Sequence, residues 1–289
     1  MHIIKYAYVI LSLTAYLTLG IILRVALFWA KPLTYIHTMN WLTYYLMHSF
    51  KWIGGFKIKL VGNTEILKQK GLFIVSTHIG YVDGFILGTL VPGTFTTKEK
   101  IKKSPLLGQV ISVGGSIFID RNKKGNIIHY VAEMARLLRE GVNVYNFPEG
   151  HATDGTKVLK FFPAFFDAPL KTGAPIVPVT IDYQKINGKP ITNPDDICCY
   201  DGKSSIFKHL GNLLKFKRID VTITIHDVID PDGYLKDTKG RRQISNLCMH
   251  TLADFKKVPI AQEHPLLIRH KKRHAPSSSL SDQEEASVR

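Results

Sequence analysis

Residues 6–23 run for 18 positions without a charged side chain, between Lys5 and Arg24. That length is at the short end of what crosses the hydrocarbon core of a bilayer, so a membrane helix is expected here. A secretory signal is the competing reading. It calls for a shorter apolar region followed by a small-residue cleavage site, whereas this run passes through Val25, Ala26, Leu27, Phe28 and Trp29 to Lys31 and Pro32. Residues 33–53 mix Trp41, Tyr44, Tyr45, Phe50 and Trp52 with His37, Asn40, His48 and Lys51. That is the make-up of a helix lying at a membrane interface, or of an amphipathic helix packed on a soluble core. Gly54 and Gly55 then break the pattern.

From Lys57 onward short apolar runs alternate with helical patterns. Residues 72–76, 94–97, 117–119, 142–147, 176–181 and 221–225 read as strands. Residues 127–138 carry apolar side chains at helical spacing, with Arg136 and Arg139 near the end and Gly141 just beyond as stop signals. The alternation predicts an α/β domain, a mixed sheet flanked by helices, after the amino-terminal membrane-associated segment. The expected organisation is membrane-anchoring helices over 1–54, the α/β domain over 55–262, and a basic, disordered tail over 263–289. From His270 the tail carries Lys271, Lys272 and Arg273 and has no periodicity on which to fold.

Lysine and arginine outnumber aspartate and glutamate by 38 − 23 = 15. The excess points to anionic partners: lipid headgroups, nucleic acid or phosphorylated substrates. No helix-turn-helix, zinc-finger or RNA-recognition signature accompanies it, so nucleic acid is not an expected partner. Cys198 and Cys199 are adjacent and Cys248 stands alone, a pattern that suits buried thiols in a reducing compartment better than a disulfide framework. No metal-ligand spacing is present, so no metal is expected. Neither G-x-S-x-G nor G-x-G-x-x-G occurs, which disfavours a serine hydrolase and a dinucleotide enzyme.

Chemistry concentrates in ordered blocks. Ser76, Thr77, His78, Ile79, Gly80, Tyr81, Val82 and Asp83 follow a buried strand, where α/β sites gather. On a continuous helix His78 and Asp83 would point about 140° apart, so they meet only if the segment begins as a loop or turn, which Gly80 would permit. Joined, they are a base and its orienting carboxylate; unjoined, His78 is an ordinary surface histidine. Gly114 to Arg121 ends a short strand on an arginine suited to phosphate or carboxylate. Phe147, Pro148, Glu149 and Gly150 turn the chain at another strand exit and place a carboxylate there.

Taken in order, these blocks resemble the glycerolipid acyltransferase family. His78 and Asp83 match its H-x4-D motif, residues 115–121 its second block, 147–150 its third, and Pro175 to Val179 its fourth, so the resemblance covers roughly residues 72–181. It implies that His78 deprotonates an acceptor hydroxyl with Asp83 in support, and that the alkoxide attacks a thioester directly, without an acyl-enzyme. Arg121 with Lys98 would hold the acceptor's anionic head, and Glu149 and Gly150 would shape its site. Residues 177–178 would serve the acyl-donor side or the core beneath it. No cofactor is implied; acyl-CoA or acyl carrier protein is the donor. The expected product of acylating 1-acyl-glycerol-3-phosphate is phosphatidic acid, made at a membrane with the catalytic domain on the cytoplasmic face.

Departures bear on the acceptor. Thr77 and Gly80 stand where the family often has Asn and Ser. After Gly150 the family commonly continues Thr-Arg-Ser, and this chain reads His151, Ala152, Thr153. The continuation through Thr153, Asp154, Gly155 and Thr156 to Leu159 is similar to superfamily members that acylate lyso-ornithine lipid, a phosphate-free acceptor. A catalytically silent, membrane-binding relative is the alternative from outside enzymology.

Overall fold

The computed structural model describes residues 2–104, 107–119, 124–198 and 205–262. Arg121, Cys199 and the expected tail lie outside the described residues.

Two helices, α1 (His2–Ala26) and α2 (Pro32–Gly54), precede the sheet. Pro32 opens α2 with its fixed φ, and Gly55 closes it at φ 74, where a Cβ would collide with the Lys217 carbonyl. Residues Ile3–Ala26 have a mean hydropathy of 2.0, long and apolar enough to cross a membrane by length and composition. Ile10, Leu11, Ile21, Ile22 and Val25 are exposed on α1, and Trp41, Tyr45 and Trp52 on α2. The two helices pack on each other through a Tyr16–Thr43 hydroxyl contact of 2.8 Å. The segment is docked to the rest of the chain at both ends. Tyr35 donates to the Val113 carbonyl at 3.1 Å, and Lys5, expected only as a flanking charge, is buried and donates to the Phe216 carbonyl at 2.8 Å.

The α/β part begins with β1 (Phe56–Gly62), β2 (Phe73–Ser76), α3 (Tyr81–Leu87), β3 (Gly93–Lys98), α4 (Glu99–Lys102), α5 (Leu107–Val113) and β4 (Ile117–Ile119). It continues with α6 (Lys124–Arg139), β5 (Asn143–Asn146), α7 (Asp167–Thr172), β6 (Ile176–Ile186), β7 (Lys189–Pro190), α8 (Ile206–Leu213), β8 (Ile219–Ile225) and α9 (Thr238–Lys256). The sheet order is β1-β8-β6-β2-β5-β3-β4, with β7 paired to β6. Strands β6, β2, β5, β3 and β4 are mutually parallel, while β8 runs antiparallel to β6 and carries β1 parallel to itself. The sheet is mixed and flanked by helices, as expected.

Alternation along the strands sorts side chains to two cores. Leu72, Ile74, Val177, Val179, Val221 and Ile223 face α3 and α8. Phe73, Val75, Val144 and Ile176 face α6, α7 and α9. Several strands exceed the sequence reading. β1 and the short β7 were not expected, β3 and β8 start earlier than read, and β6 continues five residues past Ile181, where backbone pairing with β8 carries a largely polar stretch.

What positions the site is the adjacency of β2 and β5, in register through Phe73 with Val144 and Val75 with Asn146. Both strands end at the same level, so the loops carrying residues 77–80 and 147–150 leave the sheet side by side. The chain steps from β2 outward to β3 and returns from β5 across β2 to β6, the kind of strand-order reversal at which open α/β sheets bind ligands.

Candidate active site

His78 leaves β2 as loop and α3 starts only at Tyr81, which resolves the angular problem of the H-x4-D spacing. His78 Nδ1 lies 3.0 Å from Asp83 Oδ2. The turn does not depend on glycine at position 80, whose φ of 169 is extended backbone open to any residue. Asp83 makes it: at the third helical position its Oδ2 also accepts from the Ile79 N–H at 2.6 Å and the Gly80 N–H at 3.0 Å. These are the N–H groups of the N-cap residue and of the residue before it, which the helix itself leaves without a partner, so one carboxylate closes the start of α3 and binds the imidazole.

The other oxygen is occupied too. Tyr183 donates its phenol to Asp83 Oδ1 at 2.9 Å from the extension of β6. Burial first, then the Asp83 charge, raises the Tyr183 phenol well above its ordinary value, so it stays protonated as a donor. Tyr183 was not foreseen. It continues the period-2 series Val177, Val179, Ile181 on the α3 face, and a strand extended by two residues would have included it on that face.

Asp83 is buried, its side chain 2% exposed, while that of His78 is 23% exposed. The His78 ring lies on Phe147, with centroids 4.2 Å apart and planes at 23°. A carboxylate at Nδ1 keeps the proton on that nitrogen and directs the Nε2 lone pair away from it, and Nε2 has no hydrogen-bond partner among the described residues. The site thus presents an oriented, accessible imidazole, an arrangement able to take a proton.

Glu149 acts from below. It is wholly buried, and its two oxygens accept from the His78 N–H and the Leu159 N–H, each at 2.9 Å. Burial pushes its carboxyl up to about 8, against the pull of those two N–H groups and of Lys256. It therefore shapes the site by tying the β2 exit to the 149–159 loop. The Thr153 N–H closes the same tie on the His78 carbonyl at 2.8 Å. Gly150 turns the chain at φ 70, a left-handed conformation costly for residues with a Cβ. The segment without the family's arginine is consequently folded back on His78 at Thr153.

Lys98 ends β3, half-buried and two strands from β2, level with Ile119 of β4. Val177 and Val179 are fully buried on the site's side of the sheet, so the fourth block is core beneath it.

Comparison with known proteins agrees with this arrangement. A family model described as acyltransferase matches residues 57–182. The lyso-ornithine lipid O-acyltransferase of Rhizobium meliloti (strain 1021) is 25% identical over 208 residues, 69% of this chain and 70% of that protein. The 1-acyl-sn-glycerol-3-phosphate acyltransferase of Neisseria gonorrhoeae is 30% identical over 134 residues, 46% of this chain and 52% of that protein. The chain therefore spans only about half the length of this second relative. The crystal structure of the 1-acyl-sn-glycerophosphate acyltransferase PlsC from Thermotoga maritima superposes with a TM-score of 0.54 at 20% identity, covering 89% of this chain and 98% of that one, which shows a shared fold.

Proposed function

Residues 57–182 are an acyltransferase-family domain, and on that premise we propose that the chain transfers a fatty acyl group from acyl-CoA or acyl carrier protein to the free hydroxyl of 1-acyl-glycerol-3-phosphate, giving phosphatidic acid. The observation that carries this is the His78–Asp83 contact at the mouth of the β2–β5 junction, which leaves Nε2 for the acceptor.

His78 Nε2 takes the acceptor's hydroxyl proton as the oxygen attacks the thioester carbonyl carbon, and the imidazolium so formed is stabilised by Asp83. The C–O bond forms, the C–S bond breaks, and the departing thiolate takes the proton back from His78. The imidazole base is restored, the donor leaves as the free thiol, and no acyl-enzyme is needed. The positive charge for an anionic headgroup comes from Lys98 and Arg121. The exposed apolar side chains of α1 and α2 support membrane association; in this reading the catalytic domain works at the cytoplasmic face, where acyl thioesters are made.

A second acceptor is favoured by the third block: Ala152 occupies the position of the family's arginine, and the Rhizobium relative is a lyso-ornithine lipid O-acyltransferase. Membranes containing the protein should be offered lysophosphatidate and lyso-ornithine lipid side by side, with acyl-CoA and with acyl carrier protein. Turnover of lysophosphatidate, lost on Arg121→Ala, supports the phosphate acceptor. Turnover of lyso-ornithine lipid alone, indifferent to Arg121→Ala, replaces it, and no turnover of any lyso-lipid contradicts the reading.

A further inference from the structure

A groove of about 710 Å³ lies away from His78, where the end of α2 meets the β1–β8 edge of the sheet. Strand periodicity builds it. On β1 the side chains of Phe56 and Ile58 turn to the α3–α8 core, so Lys57 and Lys59 turn to the opposite face. Register aligns Lys57 with Asp220 and Lys59 with Thr222 on β8, and the bulge in β6 after Tyr183 brings Lys185 opposite Asp220 on that same face. Elsewhere this face is covered by α6, α7 and α9. At the β1–β8 edge it is open, and Lys57, Lys59 and Lys185 are exposed.

The groove is strongly cationic. Lys51 and Arg218 join the three lysines in its lining, and the single acid that lines it among the described residues, Asp220, is engaged by Arg218 at 2.6 Å. One ion pair leaves four lysines to be balanced by a ligand. Trp52 also lines the groove, is 72% exposed and meets the Tyr8 ring edge-on at 6.3 Å. The groove therefore adjoins both the first turns of α1 and the last turn of α2, the helices whose outer faces are apolar. Aromatic rings at such a junction sit at headgroup depth.

We propose that this groove binds the phosphate of anionic phospholipid headgroups and docks the enzyme on a negatively charged leaflet, apart from the acceptor site. Charge complementarity and continuity with the apolar faces of α1 and α2 select a lipid surface over an acidic protein. The groove opens at the same end of the sheet as the catalytic histidine, since Lys185 lies two residues beyond Tyr183, the partner of Asp83. Docking there presents His78 to lipid in the bound leaflet. The inference rests on the reading above only for its choice of a lipid surface, and its test does not require turnover.

The full-length protein in detergent is mixed with vesicles of phosphatidylcholine alone or with about one-third phosphatidylglycerol, and bound protein is measured by flotation across salt concentrations. The triple variant Lys57→Gln, Lys59→Gln, Lys185→Gln is compared with Lys171→Gln, Lys236→Gln, Lys239→Gln, which removes the same charge elsewhere. Wild type and the control should prefer anionic vesicles, with the preference falling as salt rises. The groove variant should lose on the order of 100-fold in binding to anionic vesicles while keeping its binding to neutral ones and its unfolding midpoint. Equal losses in the two triple variants would overturn the proposal, as would an unchanged preference. A groove variant that keeps its vesicle preference but loses turnover with acyl carrier protein and not with acyl-CoA would assign the groove to the carrier protein instead.

Discussion

Tyr183 holds the oxygen of Asp83 that His78 does not use, at 2.9 Å from 100 residues away in sequence. The carboxylate is thereby fixed at both ends: the imidazole and two backbone N–H groups on Oδ2, the phenol on Oδ1. Tyr183→Phe removes that donor and little else. A hydrogen bond to a buried charge contributes about 1.5–3 kcal/mol, so kcat should fall about 10- to 150-fold with KM nearly unchanged. An equal fall in thermal midpoint with full kcat would make Tyr183 structural only.

Asp83→Asn separates capping from catalysis. The amide oxygen still accepts from the Ile79 and Gly80 N–H groups, so the unfolding midpoint should move by only a few degrees. The charge that stabilises imidazolium is gone, and activity should fall by on the order of 10²–10⁴. Steady-state rates alongside circular dichroism check both halves.

Burial of Glu149 links stability to pH. Its carboxyl is raised to about 8 from 4.5, so between those values the folded state binds more protons than the unfolded. The stability this group contributes is present in full below about pH 4.5 and declines as pH rises toward about 8. Glu149→Gln does not titrate, and it sets an N–H against one of the two N–H groups the carboxylate accepts, costing about 1–3 kcal/mol. In midpoints measured from pH 5 to 9, the advantage of wild type over the variant should be largest at pH 5 and shrink toward pH 8. A constant difference would show that Glu149 is ionised throughout.

Short strands were legible where apolar side chains occupy both faces: the edge strand β4 was found at its observed bounds, and the inner strands β2 and β5 to within a residue. The sheet class and the amino-terminal helices were legible for similar local reasons, whereas the meeting of His78 with Asp83 was left open by local spacing and implied by the resemblance of the ordered blocks. What was not legible is held by long-range pairing. β1 alternates lysine with apolar residues, a half-exposed edge pattern passed over in favour of apolar runs. The end of β6 is polar and exists because β8 pairs with it, which is why Tyr183 escaped notice. Glu149 could be placed at the strand exit from Pro148 and Gly150, but its inward direction depends on the Leu159 N–H, ten residues on. Gly80 was credited with a turn that Asp83 makes.

In the proposed mechanism His78 Nε2 is the base in acyl transfer to a lyso-lipid. The most direct measurement is acyl transfer by purified wild type and His78→Ala, with thioester donor and lyso-lipid acceptor, at matched fold by circular dichroism and thermal midpoint. A variant that stays folded and loses at least on the order of 10²–10⁴ in kcat, with acceptor KM little changed, is the predicted result. Turnover by His78→Ala within a few-fold of wild type would contradict the account.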